Sequence, residues 1–292
     1  MKRILVSLSA VFALLITLLV FSCEKPIITD ENESGDSDGN LTVSVFQIAK
    51  TPFASLTRAA VSEVCTRLNF IIYDEDGARL KYVSQELGKH ADFGTASFKL
   101  EEGTYQLVVV AHSANGNPTT TNIKKIQFTN STGYTDTFLC YGEITIGEEP
   151  VSLEVSLERI TSLCRFVITD DIPDEVTQMQ FYYTGGSGAF DATNRLGSVN
   201  SKQSLTFDVS EGQKEFDLYT FLHDIEGTVH LKVTAFDDGE NILYERSFDV
   251  PMEQDHITWL TGAFFNGSSS SSTTITNVTV NTDWAGETHL TF

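Results

Sequence analysis

The side chains that could act as nucleophiles, general bases or metal ligands are scattered along this sequence. No two histidines have the spacing of an HExxH zinc motif. Gly185 to Ala189 approaches the GxSxG nucleophile elbow, but it ends in alanine and lies among strands rather than in an α/β pattern. Asp74 to Gly77 lacks the later ligands of a calcium loop and is better explained as a hairpin turn. We therefore expect no enzyme activity, no bound metal and no cofactor. The histidines are His90, His112, His223, His230, His256 and His289.

Three of the four cysteines, Cys65, Cys140 and Cys164, lie within apolar stretches. No CxxC pair is present, which argues against a redox motif and a zinc knuckle. We expect these thiols to be reduced and largely buried. If a bridge forms, Cys65 and Cys140 are the best pair, because both fall in the same predicted domain.

The fourth cysteine, Cys23, follows an apolar run from Ile4 to Phe21 that begins after two basic residues. Val20, Ser22 and Cys23 resemble the bacterial lipobox, in which the leader is cut before the cysteine and the cysteine carries the lipid. The alternative is an ordinary signal peptide with a stray cysteine. We predict a lipoprotein signal peptide over 1–22, lipidation of Cys23, and a mature chain outside the inner membrane.

The charge of the chain is strongly acidic. The net charge is -21, and it becomes -23 once Lys2 and Arg3 leave with the signal peptide. Such a surface argues against nucleic acid as a partner and against a protein that lies flat on anionic lipid. Residues 29–40, TDENESGDSDGN, have no apolar periodicity. We predict an acidic flexible linker over 23–40.

From Leu41 onward the apolar residues recur with the two-residue period of β-strands. Leu41, Val43 and Val45 alternate with polar residues, and so do the apolar residues of Val151 to Leu157. Tyr105 to Ala111 carries apolar residues on both faces, which is typical of a strand buried on both sides. Turn signals separate the short strands, and no stretch has a sustained helical period. The sequence therefore predicts an all-β protein of antiparallel sandwiches.

The strands fall into two series with the same order of strand, Asp-Gly turn and strand. We predict two tandem domains, an N-terminal β-sandwich over 41–157 and a C-terminal β-sandwich over 158–292. A glycine-serine stretch at 267–272 sets off a tail strand at 274–280, which contains Val278 and Val280.

Six short motifs follow one another along the mature chain: Thr57-Arg58-Ala59, Leu68 to Gly77, Gly103 to His112, Leu157 to Ile160, Pro251 to Glu253 and Thr258 to Gly262. In this order they resemble the fimbrillins of type V pili from Bacteroidetes. The resemblance covers most of the mature chain, and it also fits the acidic spacer after the lipidated cysteine. It implies two tandem transthyretin-like antiparallel β-sandwiches in a stalk, tip or anchor subunit of a fimbria.

The resemblance also implies a mode of assembly. Relatives are processed at the arginine that corresponds to Arg58, so the Arg58–Ala59 bond is the candidate cleavage site. A cut there would free the Leu41 strand and leave a groove that another subunit's tail strand, with Val278 and Val280, could fill. In an anchor the bond would stay uncut and the tail would pair with its own domain. Both outcomes are open at this point.

The implied location is the fimbrium and the outer membrane at the cell surface, with adhesion as the activity supported. The implied partners are other fimbrial subunits, the outer membrane through the lipid on Cys23, and a host or bacterial surface receptor. The alternative function is a glycan-binding surface lipoprotein of nutrient capture. A sugar site requires an exposed aromatic platform, for which Phe181-Tyr182-Tyr183 is a candidate. With only Trp259 and Trp284 in the chain, the sugar hypothesis is the weaker one.

Overall fold

A computed structural model describes residues 35–36, 38–50, 57–129, 134–209, 212–266, 274–275 and 284–292. These residues belong to one compact unit and lie mostly in strands, which confirms the all-β prediction. Among them, helix is confined to one short turn, α1 at Val61–Val64. No helix in the described ranges is long and apolar enough to cross a membrane. Cys23, Val278 and Val280 lie outside the described residues.

The first ten strands run from the end of the acidic spacer to the middle of the chain. They are β1 (Leu41–Lys50), β2 (Thr57–Ala59), β3 (Arg67–Tyr73), β4 (Arg79–Glu86), β5 (Thr95–Phe98), β6 (Gly103–His112), β7 (Thr119–Asn122), β8 (Lys125–Gln127), β9 (Thr137–Ile146) and β10 (Val151–Arg159). As predicted, Leu107 to His112 of β6 is buried on both faces.

Two residues separate β10 from the second series of strands. Its strands are β11 (Ser162–Ile168), β12 (Gln178–Ser187), β13 (Ala189–Asp191), β14 (Leu196–Gly197), β15 (Asn200–Asp208), β16 (Glu215–Thr220), β17 (Glu226–Phe236), β18 (Ile242–Glu253), β19 (His256–Gly262), β20 (Thr274–Ile275) and β21 (Gly286–Thr291). The predicted domain boundary at 157/158 falls inside β10, and the division into 41–157 and 158–292 stays a prediction.

The two halves of the chain repeat one sheet order. In the first half, β4-β3-β6-β9 form one layer, and β5 and β10 flank the first part of β1 in the other. In the second half the same order returns as β15-β12-β17-β18 and β16-β11-β19. The second half then adds β21 and β20 beside β19. A small sheet, β14-β13-β8-β7, joins strands of both halves.

Pairing within the layers is mainly antiparallel, with three exceptions among the described strands. The pairs β1–β10, β11–β19 and β19–β21 are parallel, so the predicted antiparallel sandwiches are antiparallel in most but not all of their strand pairs. Parallel neighbours need a long crossover connection. β1 and β10 meet this requirement because the other strands of the first sandwich lie between them, and the same holds for β11 and β19 in the second. Between β19 and β21 the chain has 23 residues.

The apolar side chains form separate clusters. One fills the first sandwich and includes Leu41, Val43, Ile48, Phe70 and Phe138. A second fills the second sandwich around Phe166, Phe181, Phe216 and Leu290. A third contains Val110 and Leu139 from the first half and Phe190 and Phe221 from the second, so the halves share buried surface.

Candidate functional site

The structure places the predicted cleavage site in a paired strand. Arg58 lies opposite Ala49 and Ala59 lies opposite Ile48 in the antiparallel ladder between β2 and β1. β2 is three residues long and forms the edge of its sheet. An arginine-specific protease would therefore meet the Arg58–Ala59 bond in extended conformation, but with one side of the backbone engaged by β1.

β1, the strand that a cut at Arg58 would free, is enclosed by its own chain. β10 pairs along one edge, while β5 and β2 pair along the other. Its inward side chains Leu41, Val43 and Ile48 are completely buried. A bulge between Val45 and Gln47 turns Phe46 outward, where 55% of it is exposed. β1 is therefore an interior strand of its sheet and contributes directly to the first core.

The described end of the predicted acidic linker also binds to this sandwich. The Asn40 side-chain amide donates to Leu100 O at 2.9 Å and accepts from Leu100 N–H at 2.9 Å. Asp36 donates its backbone N–H to Ser97 O and accepts from Lys99 N–H with its carboxylate. The hydrogen bond from Lys99 N–H lowers the pKa of Asp36, because it stabilises the charged carboxylate more than burial destabilises it. The ordered fold thus begins before Leu41.

A buried arginine, which the sequence patterns did not single out, joins the two halves. The side chain of Arg159 is 3% exposed; its Nε lies 2.8 Å from Asp136 Oδ1 and its Nη1 lies 2.9 Å from Asp255 Oδ1. Burial disfavours the charged guanidinium, but the two carboxylates outweigh burial and raise the pKa of Arg159. Its guanidinium also lies over the rings of Phe138, at 4.8 Å, and Trp284, at 3.9 Å.

These partners come from four separate parts of the chain. Asp136 precedes β9, Arg159 ends β10, Asp255 lies between β18 and β19, and Trp284 precedes β21. Thr161 adds a bond from its hydroxyl to Asp136 Oδ1 at 3.1 Å and accepts Asp255 N–H with its backbone oxygen. We call Arg159, Asp136, Asp255 and Trp284 the Arg159 junction. It connects the first sandwich, the second sandwich and the C-terminal strand.

The C-terminal strand packs into its own sandwich. β21 pairs in parallel with β19, and its inward Leu290 is completely buried. The ring of Phe292 stacks on Phe166 with centroids 5.1 Å apart. Gly262 permits this approach, because a Cβ at that position would overlap Phe292 O. The second core is therefore completed by the chain's own end.

The predicted tail strand at 274–280 is described only at its start. The structure assigns β20 to Thr274–Ile275, which pair with Thr291 and Leu290 of β21. Val278 and Val280, the predicted donor residues, lie beyond the described part, so their role stays a prediction.

The aromatic residues considered for a sugar platform are buried, half-buried or covered by neighbouring side chains. Trp284 is 7% exposed. The indole of Trp259 has Arg165 from β11 over it at 5.0 Å and His289 from β21 stacked at 5.6 Å. Phe181 and Tyr183 are buried, and Tyr182 is half-buried. Because sugar rings stack on open aromatic faces, this geometry gives no support to the glycan-binding alternative.

The two stretches that were considered for calcium binding and for a nucleophile have local structural roles. Asp74 closes a hairpin turn, since its carboxylate accepts Ala78 N–H at 2.8 Å and Gly77 has a φ of 82°. Ser187 of the GxSxG-like stretch is completely buried and bonds to Ala189 O. Within the described residues, no group of three potential metal ligands occurs.

The three cysteines after Cys23 are free. Cys65 and Cys164 are buried, whereas Cys140 is half-buried. Burial raises the pKa of Cys164 to about 12 and raises those of Cys65 and Cys140 as well. These thiols stay protonated at neutral pH, which suits packing rather than redox chemistry.

Of the six histidines, His112, the last residue of β6, is completely buried. It belongs to a network of polar side chains. Its Nδ1 accepts Ala114 N–H at 3.1 Å, so the ring proton lies on Nε2 and is donated to Asn69 Oδ1 at 2.9 Å. The amide of Asn69 then donates to Tyr82 Oη at 2.8 Å and to Asn117 Oδ1 at 3.2 Å. This network needs a neutral imidazole, because a protonated Nδ1 could not accept from Ala114.

We therefore predict that stability falls in mild acid through His112. Burial, together with the positive Arg67, lowers the pKa of His112 from 6.5 to about 3. Above about pH 6.5 the His112 ring is neutral in both the folded and the unfolded chain, so it does not change the free energy of unfolding there. Between pH 6.5 and 3 the unfolded chain binds the proton first, and at pH 5 this lowers the free energy of unfolding by about 2 kcal/mol.

Urea unfolding at pH 7 and pH 5 measures this effect. His112→Gln is expected to lose that part of the pH dependence, whereas His230→Gln, at an exposed site paired with Asp249, is expected to keep it. An unchanged pH dependence in His112→Gln would show that this histidine is not responsible.

Comparisons with known proteins identify the family. A family model described as "Fimbrillin-A associated anchor proteins Mfa1 and Mfa2" matches residues 33–289. No curated protein matches the chain.

Several solved structures match this chain over more than two thirds of its length, at low sequence identity. A fimbrial assembly protein from Parabacteroides distasonis ATCC 8503 is 15% identical, with 76% of this chain and 90% of that chain covered and a TM-score of 0.41. The fimbrial anchor protein Mfa2 from Porphyromonas gingivalis is 13% identical, with coverages of 70% and 80% and a TM-score of 0.40. The tip fimbrial protein Mfa3 from Porphyromonas gingivalis is 12% identical, with coverages of 71% and 80% and a TM-score of 0.34.

The family match spans most of the chain and confirms the resemblance that the short motifs indicated. It agrees with a cell-surface, fimbrial setting for the protein. The chain therefore belongs to the family of fimbrillin-A associated anchor proteins Mfa1 and Mfa2.

Proposed function

We propose that this chain anchors a fimbria in the outer membrane. A lipid on Cys23 holds its N-terminus, the acidic residues after Cys23 form the leash, and the two sandwiches bind the base of the fimbrial shaft. In this role the chain supports adhesion indirectly, because it retains on the cell the fibre that meets a surface receptor. Its direct protein partners are other fimbrial subunits.

The observation that carries this proposal is the self-contained fold. β1 is enclosed by β10, β5 and β2, and β21 completes the second core. A subunit that exchanges strands must release such an element. Each fully buried Val or Leu withdrawn from a core forfeits about 1.5–3 kcal/mol as an upper estimate. An anchor needs no such release, since its N-terminal part stays tethered.

The bond Arg58–Ala59 distinguishes the anchor from a shaft subunit. We propose that it stays intact in the working anchor, so that the sandwiches remain continuous with β1 and with the lipidated cysteine. Cutting it would remove the covalent link between the lipid and the sandwiches. β1 would then be held only by its pairing with the neighbouring strands. In a shaft subunit this cut would open the groove for strand exchange, with the Val278–Val280 region of a neighbour as the donor.

Mass spectrometry of the protein isolated from outer membranes tests the proposal. The expected mature chain begins with acylated Cys23 and contains the uncut Arg58–Ala59 bond. An Arg58→Ala variant is expected to be retained and to support fimbriae as the wild type does. A mature chain that begins at Ala59, together with loss of fimbriae in Arg58→Ala, would instead assign a shaft subunit that assembles by strand exchange.

A further inference from the structure

The repeated sheet order leaves one strand position unfilled in the first sandwich. In the second sandwich β19 has β11 on one edge and β21 on the other. Its counterpart in the first sandwich, β10, has β1 on one edge, but on the other it meets β9 only at Glu158 and Arg159. Along Val151 to Leu157 no other described strand pairs with β10.

The backbone of β10 is oriented for another strand. Val151 donates its N–H to Asn40 O at 2.8 Å, on the side of β1. Because backbone groups alternate sides along a strand, the N–H groups of Ser152, Glu154 and Ser156 point to the open edge. All three of these residues are exposed. The open edge thus presents a row of donors and acceptors.

The side chains beside this edge are apolar but incompletely covered. Val151, Leu153 and Val155 pack on the first core, yet each stays partly exposed. Leu157, next to the point where β9 joins, is completely buried. In the second sandwich the corresponding part of β19 carries Leu260, which is 1% exposed in the same cluster as Leu290 of β21. An added strand would bury the β10 row in the same way.

The chain segment that contains most of β9 and β10 carries one sign of charge. Glu143, Glu148, Glu149 and Glu154 are exposed in it, and the stretch from Leu139 to Leu157 contains no lysine, arginine or histidine. The basic Arg195 lies beyond this stretch and is paired with Glu158. A strand laid beside Glu154 would therefore be favoured by basic side chains at its outward positions. A second copy of this chain, with a net charge of -21, fits poorly, and its own β21 is already in use.

We propose that the open edge of β10 binds an extended, basic segment of another polypeptide. The segment runs parallel to β10, as β21 runs beside β19, with apolar side chains toward Val151, Leu153 and Val155 and with lysine or arginine outward. Binding leaves β1 in place and needs no cleavage at Arg58. That the segment belongs to a fimbrial subunit rests on the proposed function; the binding site itself does not.

A peptide of about eight residues, with valine at alternate positions and lysine or threonine between them, is the probe. Fluorescence anisotropy with the full-length protein is expected to show saturable, salt-sensitive binding below about 1 mM. Glu154→Thr keeps the backbone N–H and removes the charge, so we expect the affinity for the peptide to fall a few-fold. Glu154→Pro also removes the outward N–H, so we expect the affinity to fall at least about tenfold further.

Two controls keep the result interpretable. Urea unfolding of each variant checks the fold, and a peptide methylated on the amides that face β10 should fail to bind the wild type even if Glu154→Pro is unstable. Glu154→Lys should reverse the preference toward a peptide with glutamate in place of lysine. Absence of binding by the wild type, or equal binding by Glu154→Pro and by the methylated peptide, would mean that the acidic edge only prevents aggregation. Neither result would bear on lipid anchoring at Cys23.

Discussion

Replacing Arg159 with alanine is expected to lower the free energy of unfolding by about 3–5 kcal/mol, because the change leaves two carboxylates in a partly buried site without their cation. Asp136 and Asp255 retain side-chain exposures of 23% and 19%, so water can only partly replace the guanidinium. The packing of Phe138 and Trp284 on the guanidinium is lost as well. Equilibrium urea unfolding of the purified protein measures the change.

Arg165 provides the matched control for this prediction. It also makes a two-point ion pair, with Asp217 at 2.7 and 2.8 Å, and lies over a tryptophan ring. Its side chain is 28% exposed and that of Asp217 is 34% exposed, so solvent screens the pair. Arg165→Ala is therefore expected to cost about 1 kcal/mol. Equal losses at the two arginines would contradict the assignment of Arg159 as the buried junction between the halves.

Leu290→Ala is expected to lower the free energy of unfolding by about 2–5 kcal/mol, the range for a fully buried leucine whose removal leaves a cavity. Leu290 lies in β21, is completely buried, and belongs to the second core with Phe166 and Leu260. The same strand contains the exposed Thr291, and Thr291→Ala is expected to change stability by less than about 0.5 kcal/mol.

The comparison of these two substitutions tests whether the C-terminal strand is part of its own domain. A strand that only rests on the surface would lose little with either change. If Leu290→Ala costs no more than Thr291→Ala in thermal and urea unfolding, β21 does not complete the second core, and a role as donor to another subunit becomes the better account.

Local periodicity predicted most strands because each inward side chain is followed by an outward one. Leu41 and Val43 are buried as their alternation indicated. His230, which alternates with Val229 and Leu231 in β17, is exposed. Alternation cannot indicate which strands become neighbours. The parallel pairing of β1 with β10 joins residues more than one hundred positions apart, and no local pattern carries that information.

The Arg159 junction shows the same limit for a site. In the sequence Arg159 lies on the apolar row of β10, two positions after Leu157, and a charged residue there ends the apolar alternation without indicating which groups it contacts. Its burial depends on Asp136, Asp255 and Trp284, which the topology brings together from distant segments. The half-exposed Val151, Leu153 and Val155 are a second case, since their alternation predicts burial and only the absence of a described neighbour on that edge explains the exposure.

The central claim, anchoring through Cys23, is tested most directly by the location of fimbriae in a strain whose only copy of this protein is Cys23→Ala. A deletion strain complemented with Cys23→Ala or with Cys140→Ala, a half-buried cysteine that serves as control, provides the comparison. The measurement is the fraction of fimbriae in the culture medium relative to the cells, by immunoblot and electron microscopy. The account predicts that Cys23→Ala sheds most fimbriae into the medium while the control retains them; fimbriae that stay on the cells in both strains would contradict it.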